Sequence, residues 1–317
     1  MIEIKNLTKR YGALTAVDGL SLSIKDGLIY GFLGANGAGK STTLGMITGC
    51  LAPTEGSVSV NGFDILEKPL EAKRQIGYLP EIPPLYPEMT PSEFLKFVAR
   101  ARGVAKSELD STVETAMRKT GVYDVRDRVI RQLSKGYRQR VGLAQAILGD
   151  PPVIILDEPT VGLDPEQVVE IRELIRSLGG AHTVIFSSHI LSEVSLLCDR
   201  VFIIDHGKLL SEDTPENLES MIDEGEILEI TVLSDTKKAL DTILSLDCVK
   251  SAELDETGES PTLRIYGKRN EVLREPVALA LSGAGIAVTQ MQSVSRSLED
   301  AYMKLIRAKA EEKEENE

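Results

Sequence analysis

A glycine-rich segment after an apolar run is the feature that most constrains the fold of this chain. It lies between a predicted strand, Leu28 to Leu33, and a predicted helix, Ser41 to Thr48. Glycines allow the backbone to fold closely around phosphate, so that N–H groups and the helix N-terminus face the phosphate oxygens. The segment therefore predicts a phosphate-binding loop. Its residues are Gly34, Ala35, Asn36, Gly37, Ala38, Gly39, Lys40, Ser41 and Thr42.

Two side chains of this loop suit a nucleoside triphosphate bound with Mg²⁺. We expect Lys40 to reach the β- and γ-phosphates and the hydroxyl of Ser41 to complete the Mg²⁺ shell. The pattern alone arises by chance in about one chain in a hundred at average composition. Taken alone, the segment is therefore also compatible with an ordinary glycine-rich turn.

A second motif places two carboxylates at the end of a predicted buried strand. Val153 to Leu156 is apolar, and Asp157 and Glu158 follow it directly. Asp157 suits Mg²⁺ through water, because this cation prefers oxygen ligands. Glu158 suits the attacking water, because hydrolysis needs a carboxylate within hydrogen-bond reach of the nucleophile. A solvated strand end is the alternative when the pair is taken alone.

A third motif opens another predicted helix. Leu133 to Arg140 precedes a strongly helical run, Val141 to Leu148, and this places Ser134 and the N–H of Gly136 at a helix start. The N-terminus of a helix favours anions. We therefore expect a second anion site in the same domain.

The order of these motifs resembles the ATP-binding cassette (ABC) family over about the first 215 residues. Gly162 to Pro165 and Ser188-His189 follow the three motifs above in the family's order. The resemblance implies an α/β fold: a P-loop NTPase with a RecA-like core, an antiparallel β subdomain and a helical subdomain at about residues 88–150. It also implies ATP and Mg²⁺ as the bound groups.

The resemblance implies roles for further residues. Tyr11 matches the aromatic residue that stacks on adenine, His189 matches the histidine that contacts the γ-phosphate, and Asp164 matches the loop that signals across the dimer interface. His182 and His206 match nothing in the family, and we expect both at the surface.

In the ABC family, the signature helix of one cassette caps the ATP that is held by the phosphate loop of the other. By this resemblance, Ser134 and Gly136 contact the nucleotide of a second chain. The implied partner is a second cassette, most simply in a homodimer.

The chain departs from the commonest ABC pattern at two places. Lys135 and Tyr137 replace a glycine and a glutamine of the signature, and Glu81 replaces the glutamine after Ile76 to Pro80. Glutamate retains an oxygen ligand for Mg²⁺ but adds a charge beside the triphosphate. These variants and the ending at Ser297 to Tyr302 resemble the bacterial ABC-2-type exporter subgroup. The subgroup implies a separate integral-membrane permease as partner.

The periodicity predicts how the chain is organised. Further buried strands are expected at Thr183 to Phe186 and Val201 to Ile204, and a hairpin is expected around Asn61-Gly62. The stretch between Pro91 and Gly149 is predicted to be mostly helical. We expect the cassette to occupy residues 1–215.

Residues 216–317 follow a different pattern, in which strands and helices alternate as βαββαβ. This order predicts a small α+β domain of ferredoxin-like fold. A last helix, Ser297 to about Lys309, and an acidic tail are expected to follow. The six predicted elements are the strand Ile227–Leu233, the helix Thr236–Leu246, the strands Val249–Leu254 and Thr262–Tyr266, the helix Asn270–Leu281 and the strand Ile286–Met291.

Charge and hydropathy limit the partners of the 317-residue chain. Its formal net charge of -13 disfavours nucleic acid as a partner, because a basic surface usually drives that binding. No apolar run approaches the ~20 residues of a membrane-spanning helix, and the N-terminus has no secretion signal. We therefore expect a cytoplasmic protein, peripheral on the inner face of the cell membrane.

Three alternatives remain open from the sequence. One is a non-transport ABC-family ATPase that acts on ribosomes or DNA. Another is a small-molecule kinase, for which Leu133 to Tyr137 would have no use. The third concerns residues after Pro215, which form either a ligand sensor or an appendage that stabilises a dimer or contacts a permease.

Overall fold

The structure is a computed structural model that describes residues 1–220, 226–233, 235–255, 261–268, 271–294, 298–303 and 305–306. The chain divides into two compact units, Met1–Pro215 and Glu216–Glu317. The first unit contains these strands: β1 (Ile2–Tyr11), β2 (Leu14–Ile24), β3 (Ile29–Leu33), β4 (Glu55–Val60), β5 (Phe63–Asp64), β6 (Ile76–Leu79), β7 (Val153–Asp157), β8 (Thr183–Ser188), β9 (Arg200–Asp205) and β10 (Lys208–Asp213).

Helices connect these strands. They are α1 (Lys40–Ile47), α2 (Pro69–Arg74), α3 (Pro91–Ala101), α4 (Leu109–Lys119), α5 (Lys135–Ile147), α6 (Pro165–Leu178) and α7 (Leu191–Leu197), followed at the boundary between the units by α8 (Pro215–Ser220). Two short 3₁₀ helices, Tyr123–Val125 and Ile130–Gln132, lie between α4 and α5.

A six-stranded sheet forms the centre of the first unit. Its order is β10-β9-β3-β8-β7-β6, with β10 antiparallel at one edge and the other five strands parallel. β3, β7 and β8 are buried at every residue. Parallel strands that are covered on both faces have continuous apolar sequences, and this is why these strands were predictable.

A four-stranded antiparallel sheet, in the order β2-β1-β4-β5, accompanies the central sheet. Asn61 and Gly62 have φ angles of 50° and 80°, so they adopt the left-handed conformation that a type I′ turn requires. Val60 pairs with Phe63 across this turn. The predicted hairpin is thus confirmed.

Helix α1 contacts both sheets, namely β2 and β4 of the antiparallel sheet and β7 of the central sheet. Its residues from Thr43 to Ile47 are buried. One hydrophobic core includes residues of α1 and of both sheets. In this core the ring of Phe202 stacks on that of Tyr30, with centroids 5.5 Å apart, and lies 5.2 Å from that of Phe32. The core therefore packs α1 against both sheets.

The predicted helical region between Pro91 and Gly149 is confirmed. Helices α3, α4 and α5 contact one another pairwise. Thr90 caps α3 through a capping box with Glu93, in which each side chain bonds the other residue's backbone N–H. The side chain of Ser134 caps α5 by accepting from the N–H of Tyr137 at 3.3 Å.

The second unit contains β11 (Ile227–Val232), α9 (Thr236–Leu244), β12 (Val249–Asp255), β13 (Thr262–Gly267), α10 (Arg274–Gly283) and β14 (Val288–Val294). The strands pair antiparallel in the order β12-β13-β11-β14. This is the predicted ferredoxin-like arrangement. Its core lies between the sheet and the two helices.

The two helices predicted nearest the C-terminus differ in extent from the described ones. The second predicted helix begins at Arg274 and not at Asn270, which lies outside the described residues. Residues 298–303 and 305–306 are helical, whereas the other residues of the last predicted helix and the acidic tail lie outside the described part. Among the helices of the described residues, none has the length and apolarity that a membrane span needs.

One prediction concerns the stability of the first unit. Phe202 is fully buried against two aromatic rings, so Phe202→Ala is expected to lower the free energy of unfolding by about 3–5 kcal/mol. Urea denaturation measures this change. Phe97→Ala is the matched control, because Phe97 is 47% exposed. Equal losses in the two variants would contradict the packing of Phe202 against Tyr30 and Phe32.

Candidate nucleotide site

The phosphate-binding loop connects β3 to α1. Gly39 precedes α1 with a φ of 103°, and a Cβ at this position would lie 2.5 Å from the carbonyl oxygen of Ala16 in β2. Only glycine satisfies both conditions. Because Gly39 has no side chain to cap α1, the first N–H groups of the helix remain available to phosphate oxygens.

Lys40 is the first residue of α1 and is almost completely buried. Its Nζ donates to the carbonyl oxygens of Gly34 at 2.8 Å and Ala35 at 3.3 Å. The same atom lies 3.5 Å from Oε1 of Glu158, in an ion pair whose side chains are 6% and 8% exposed. The ammonium is therefore held at the loop and opposite the carboxylate that follows β7.

Ser41 and Asp157 meet at the end of the central sheet. The Ser41 hydroxyl donates to Oδ1 of Asp157 at 3.1 Å. Ser187, at the end of the neighbouring strand β8, donates to the same oxygen at 2.6 Å. A hydroxyl and a carboxylate at this spacing are the hard oxygen donors that Mg²⁺ prefers. The donor set thus fits this cation.

Glu158 has an unusual backbone conformation, with a φ of 47°. A non-glycine residue in this region is strained and persists only where its surroundings hold it. The N–H of Glu158 donates to Oγ of Ser187 at 2.9 Å, and its Oε2 lies 2.9 Å from Nδ1 of His189. Ser187 therefore contacts both acidic residues that follow β7.

An open cavity of about 560 Å³ collects most of the predicted site residues. Tyr11, Glu81, Glu158 and His189 line it together with the phosphate loop. The loop residues at its wall are Ala35, Asn36, Gly37, Gly39, Lys40, Ser41 and Thr42. Positions that are distant in the sequence therefore face one space. Gly34 and Ala38 are buried and do not line it.

Two rim residues of the cavity are exposed. Tyr11 is 48% exposed, and the Nζ of Lys9 lies 5.3 Å from the centre of its ring. Glu81 follows β6 and is also exposed. Both side chains are open to a ligand that enters the cavity.

Ser134, Gly136 and Asp164 do not line this cavity. They lie at the starts of two adjacent helices: Ser134 caps α5, and Asp164 caps α6 by accepting from the N–H of Gln167 at 2.9 Å. The side chain of Gln167 occupies the space where a Cβ on Gly136 would lie. The third predicted motif is thus separate from the phosphate loop within one chain.

Sequence reasoning missed Ser187 and misplaced His182. Ser187 immediately precedes the Ser188-His189 pair, but only the strand pairing of β7 with β8 brings it to the two carboxylates. His182 was expected at the surface, yet it is 5% exposed and its Nδ1 lies 2.8 Å from the carbonyl oxygen of Pro151. The prediction failed because a polar ring can be buried when a backbone group satisfies it.

The fold and the loop define a P-loop nucleotide-binding cassette. The family model for ABC transporters matches residues 17–161. The chain is 36% identical over 314 residues to the bacitracin transport ATP-binding protein BcrA of Bacillus licheniformis. This similarity covers 96% of this chain and 97% of BcrA. The chain therefore belongs to the ABC transporter family, as an ATP-hydrolysing nucleotide-binding subunit.

Two further similarities extend this comparison. The linearmycin resistance ATP-binding protein LnrL of Bacillus subtilis is 35% identical over 257 residues, which cover 81% of this chain and 83% of LnrL. A solved dimeric ATP-binding cassette in a post-hydrolysis state, bound to ADP and phosphate, is 26% identical with a TM-score of 0.61. That similarity covers 68% of this chain and 98% of the solved one.

A second prediction concerns Ser187. Ser187→Ala removes the acceptor of the buried Glu158 N–H, so we expect the free energy of unfolding to fall by about 1–3 kcal/mol. Urea denaturation checks this value. The matched control is Ser177→Ala, in which an exposed serine hydroxyl on α6 is removed. An unchanged stability in Ser187→Ala would show that the contact does not hold the strained turn.

Proposed function

We propose that this chain powers an exporter from the inner face of the cell membrane, together with a separate integral-membrane permease. The observation that carries the proposal is the convergence of Lys40, Ser41, Glu158 and His189 at one cavity beside the phosphate loop. The names of BcrA and LnrL, which refer to bacitracin transport and linearmycin resistance, support export. The residues Glu81, Lys135 and Tyr137 also support export, because they resemble those of the ABC-2-type exporter subgroup.

Lys40, Glu158 and His189 each suit one role in ATP hydrolysis. Lys40 exchanges its carbonyl partners for the β- and γ-phosphate oxygens of ATP, which are better acceptors for an ammonium. Glu158 then orients the attacking water. His189 is held through Nδ1 by Glu158 and has its second ring nitrogen left for the γ-phosphate. Such phosphoryl transfer depends mainly on positioning and on charge neutralisation.

Three residues are proposed to hold Mg²⁺. Ser41 and Asp157 already lie in contact, and Glu81 lies at the cavity rim. The bound cation supplies positive charge that offsets the charge developing on the phosphate oxygens. Asp157 suits contact through water, because Mg²⁺ usually keeps several of its waters.

A homodimer is proposed to complete each site. Ser134 and Gly136 are at the start of α5, away from the cavity of their own chain, and Ser134 is exposed, so this helix start is open to ATP bound by a second copy. Asp164 at the start of α6 lies beside them and suits the contact between the copies. The similarity to a solved dimeric cassette supports this arrangement.

The decisive prediction concerns Glu158. Glu158→Gln should keep ATP affinity but lose nearly all steady-state hydrolysis, because the amide cannot act as the base for water. Lys40→Ala is the comparison variant and should lose affinity. Phosphate release and nucleotide titration on the full chain measure both. Normal turnover in Glu158→Gln would refute the assigned role.

A groove next to the cavity is proposed to receive the permease. It measures about 430 Å³ and lies between the central sheet and α3, with Tyr78, Val98 and Arg102 in its wall. Burial, and to a lesser extent the charge of Asp157, raises the pKa of Tyr78 well above its usual value, so the phenol stays neutral. Ile82 and Phe97 add exposed apolar surface in the same region of the chain. An apolar surface with few charges suits a helix end of a membrane subunit.

A prediction on this surface uses Ile82, which is 82% exposed. In native cells, we expect the wild-type chain in the membrane fraction and a markedly smaller share of Ile82→Asp there, because a charge opposes an apolar contact. Immunoblots of the separated fractions measure both shares. Leu196→Asp is the control, because Leu196 is a 59% exposed apolar residue on α7 that does not line the groove. Equal shares for all three proteins would reject this surface.

We also propose that residues 1–215 are the functional cassette, with residues 88–150 as its helical subdomain. Residues 216–317 then form an accessory domain that stabilises the dimer or contacts the permease. A regulatory ligand site in that domain is the second possibility. The independent core of the second unit supports its treatment as a separate domain.

A further inference from the structure

Glu193 is a buried carboxylate that the hydrolysis proposed above does not use. It lies in α7 and is 1% exposed. Its Oε2 accepts from the hydroxyls of Thr160 at 2.8 Å and Ser188 at 3.1 Å, and its Oε1 accepts from Nη2 of Arg172 at 3.1 Å. Four separate segments of the first unit thus meet at one side chain.

Two of these contacts adjoin the reacting residues. Thr160 follows Glu158 by two positions, and Ser188 directly precedes His189. Both hydroxyls bond to the same oxygen atom of Glu193. A single oxygen atom therefore joins the turn after β7 to the end of β8. Glu158 and His189, whose Oε2 and Nδ1 atoms are 2.9 Å apart, lie in these two segments.

Burial of this carboxylate is unfavourable unless donors satisfy it. Two hydroxyls and one guanidinium do so here, and Arg172 supplies the opposite charge from α6. Thr160 and Ser188 are themselves 4% and 1% exposed, so water does not compete for these contacts. The N–H of Ile190 donates to Ser188 at 3.0 Å and fixes that hydroxyl further.

The turn after β7 requires such support. Glu158 adopts a strained left-handed conformation, and the surrounding contacts must hold it. Ser187 bonds the backbone at Glu158 itself. Glu193 bonds the same turn two residues later.

We propose that Glu193 is a positioning residue that sets the separation of Glu158 and His189. The inference rests on the proposed function of those two side chains. Glu193 does not line the cavity; it acts through Thr160 and Ser188. Its loss should therefore slow hydrolysis without weakening nucleotide binding at Lys40.

Two substitutions test this role in the full chain. Glu193→Ala should lower kcat by about 10- to 100-fold, because displacement of reacting groups by ~1 Å costs that much. The Kd of a non-hydrolysable ATP analogue should stay within about 2-fold, as for groups that act only in the transition state. Glu193→Gln should restore most of kcat, because its NH₂ can donate to both hydroxyls while its oxygen accepts from Arg172.

Further variants separate positioning from folding. Thr160→Val keeps the shape and removes one hydroxyl, so it should lower kcat even if Glu193→Ala folds poorly. In a His189→Ala background, Glu193→Ala should cause no additional loss, because the pair it aligns is already broken. Glu212→Gln removes a different ion pair, with Arg200, and should leave kcat unchanged.

The outcomes distinguish this inference from the proposed function. If Glu158→Gln abolishes turnover while Glu193→Ala and Thr160→Val retain it, Glu193 has no positioning role. If Glu193→Ala weakens analogue binding as much as it lowers kcat, its effect is a general loss of the site. If Glu158→Gln itself turns over normally, the proposed function fails first.

Discussion

The buried ion pair between Lys40 and Glu158 is the interaction on which the rest of the site depends. Either charge alone would be costly in a place where the side chains are 6% and 8% exposed. The pair forms because β3 and β7 lie on either side of β8, so the loops after their carboxyl ends open towards the same crevice. Ligands of open α/β sheets bind in such crevices. The strand order therefore determines the chemistry.

Local sequence patterns predicted much of this fold because each has a local physical cause. The continuous apolar runs of β3, β7, β8 and β9 reflect burial on both faces, and Asn61-Gly62 reflects a turn that needs positive φ angles. The phosphate loop was predictable for the same reason, since its glycines satisfy backbone conditions within a few residues. In the second unit, the order βαββαβ was sufficient to predict the ferredoxin-like fold.

What the sequence did not predict is carried by contacts between distant segments. Ser187 and Glu193 are ordinary residues in a strand end and a short helix, and only strand pairing and helix packing bring them to the turn after β7. The burial of His182 depends likewise on the carbonyl of Pro151. No spacing rule relates such positions, because a serine hydroxyl or a glutamate carboxylate is as common at an exposed position, where water satisfies it.

Helix α6 contacts both the start of α5 and the buried carboxylate of Glu193. Asp164 caps α6 beside the start of α5, and Gln167 and Glu170 of α6 contact Gly136 and Arg140 of α5. Further along α6, Arg172 donates to Glu193, which also accepts from Thr160 in the turn after β7. The helix start that carries Ser134 and Gly136 and the turn that carries Glu158 are thus connected through side chains of α6 within one chain.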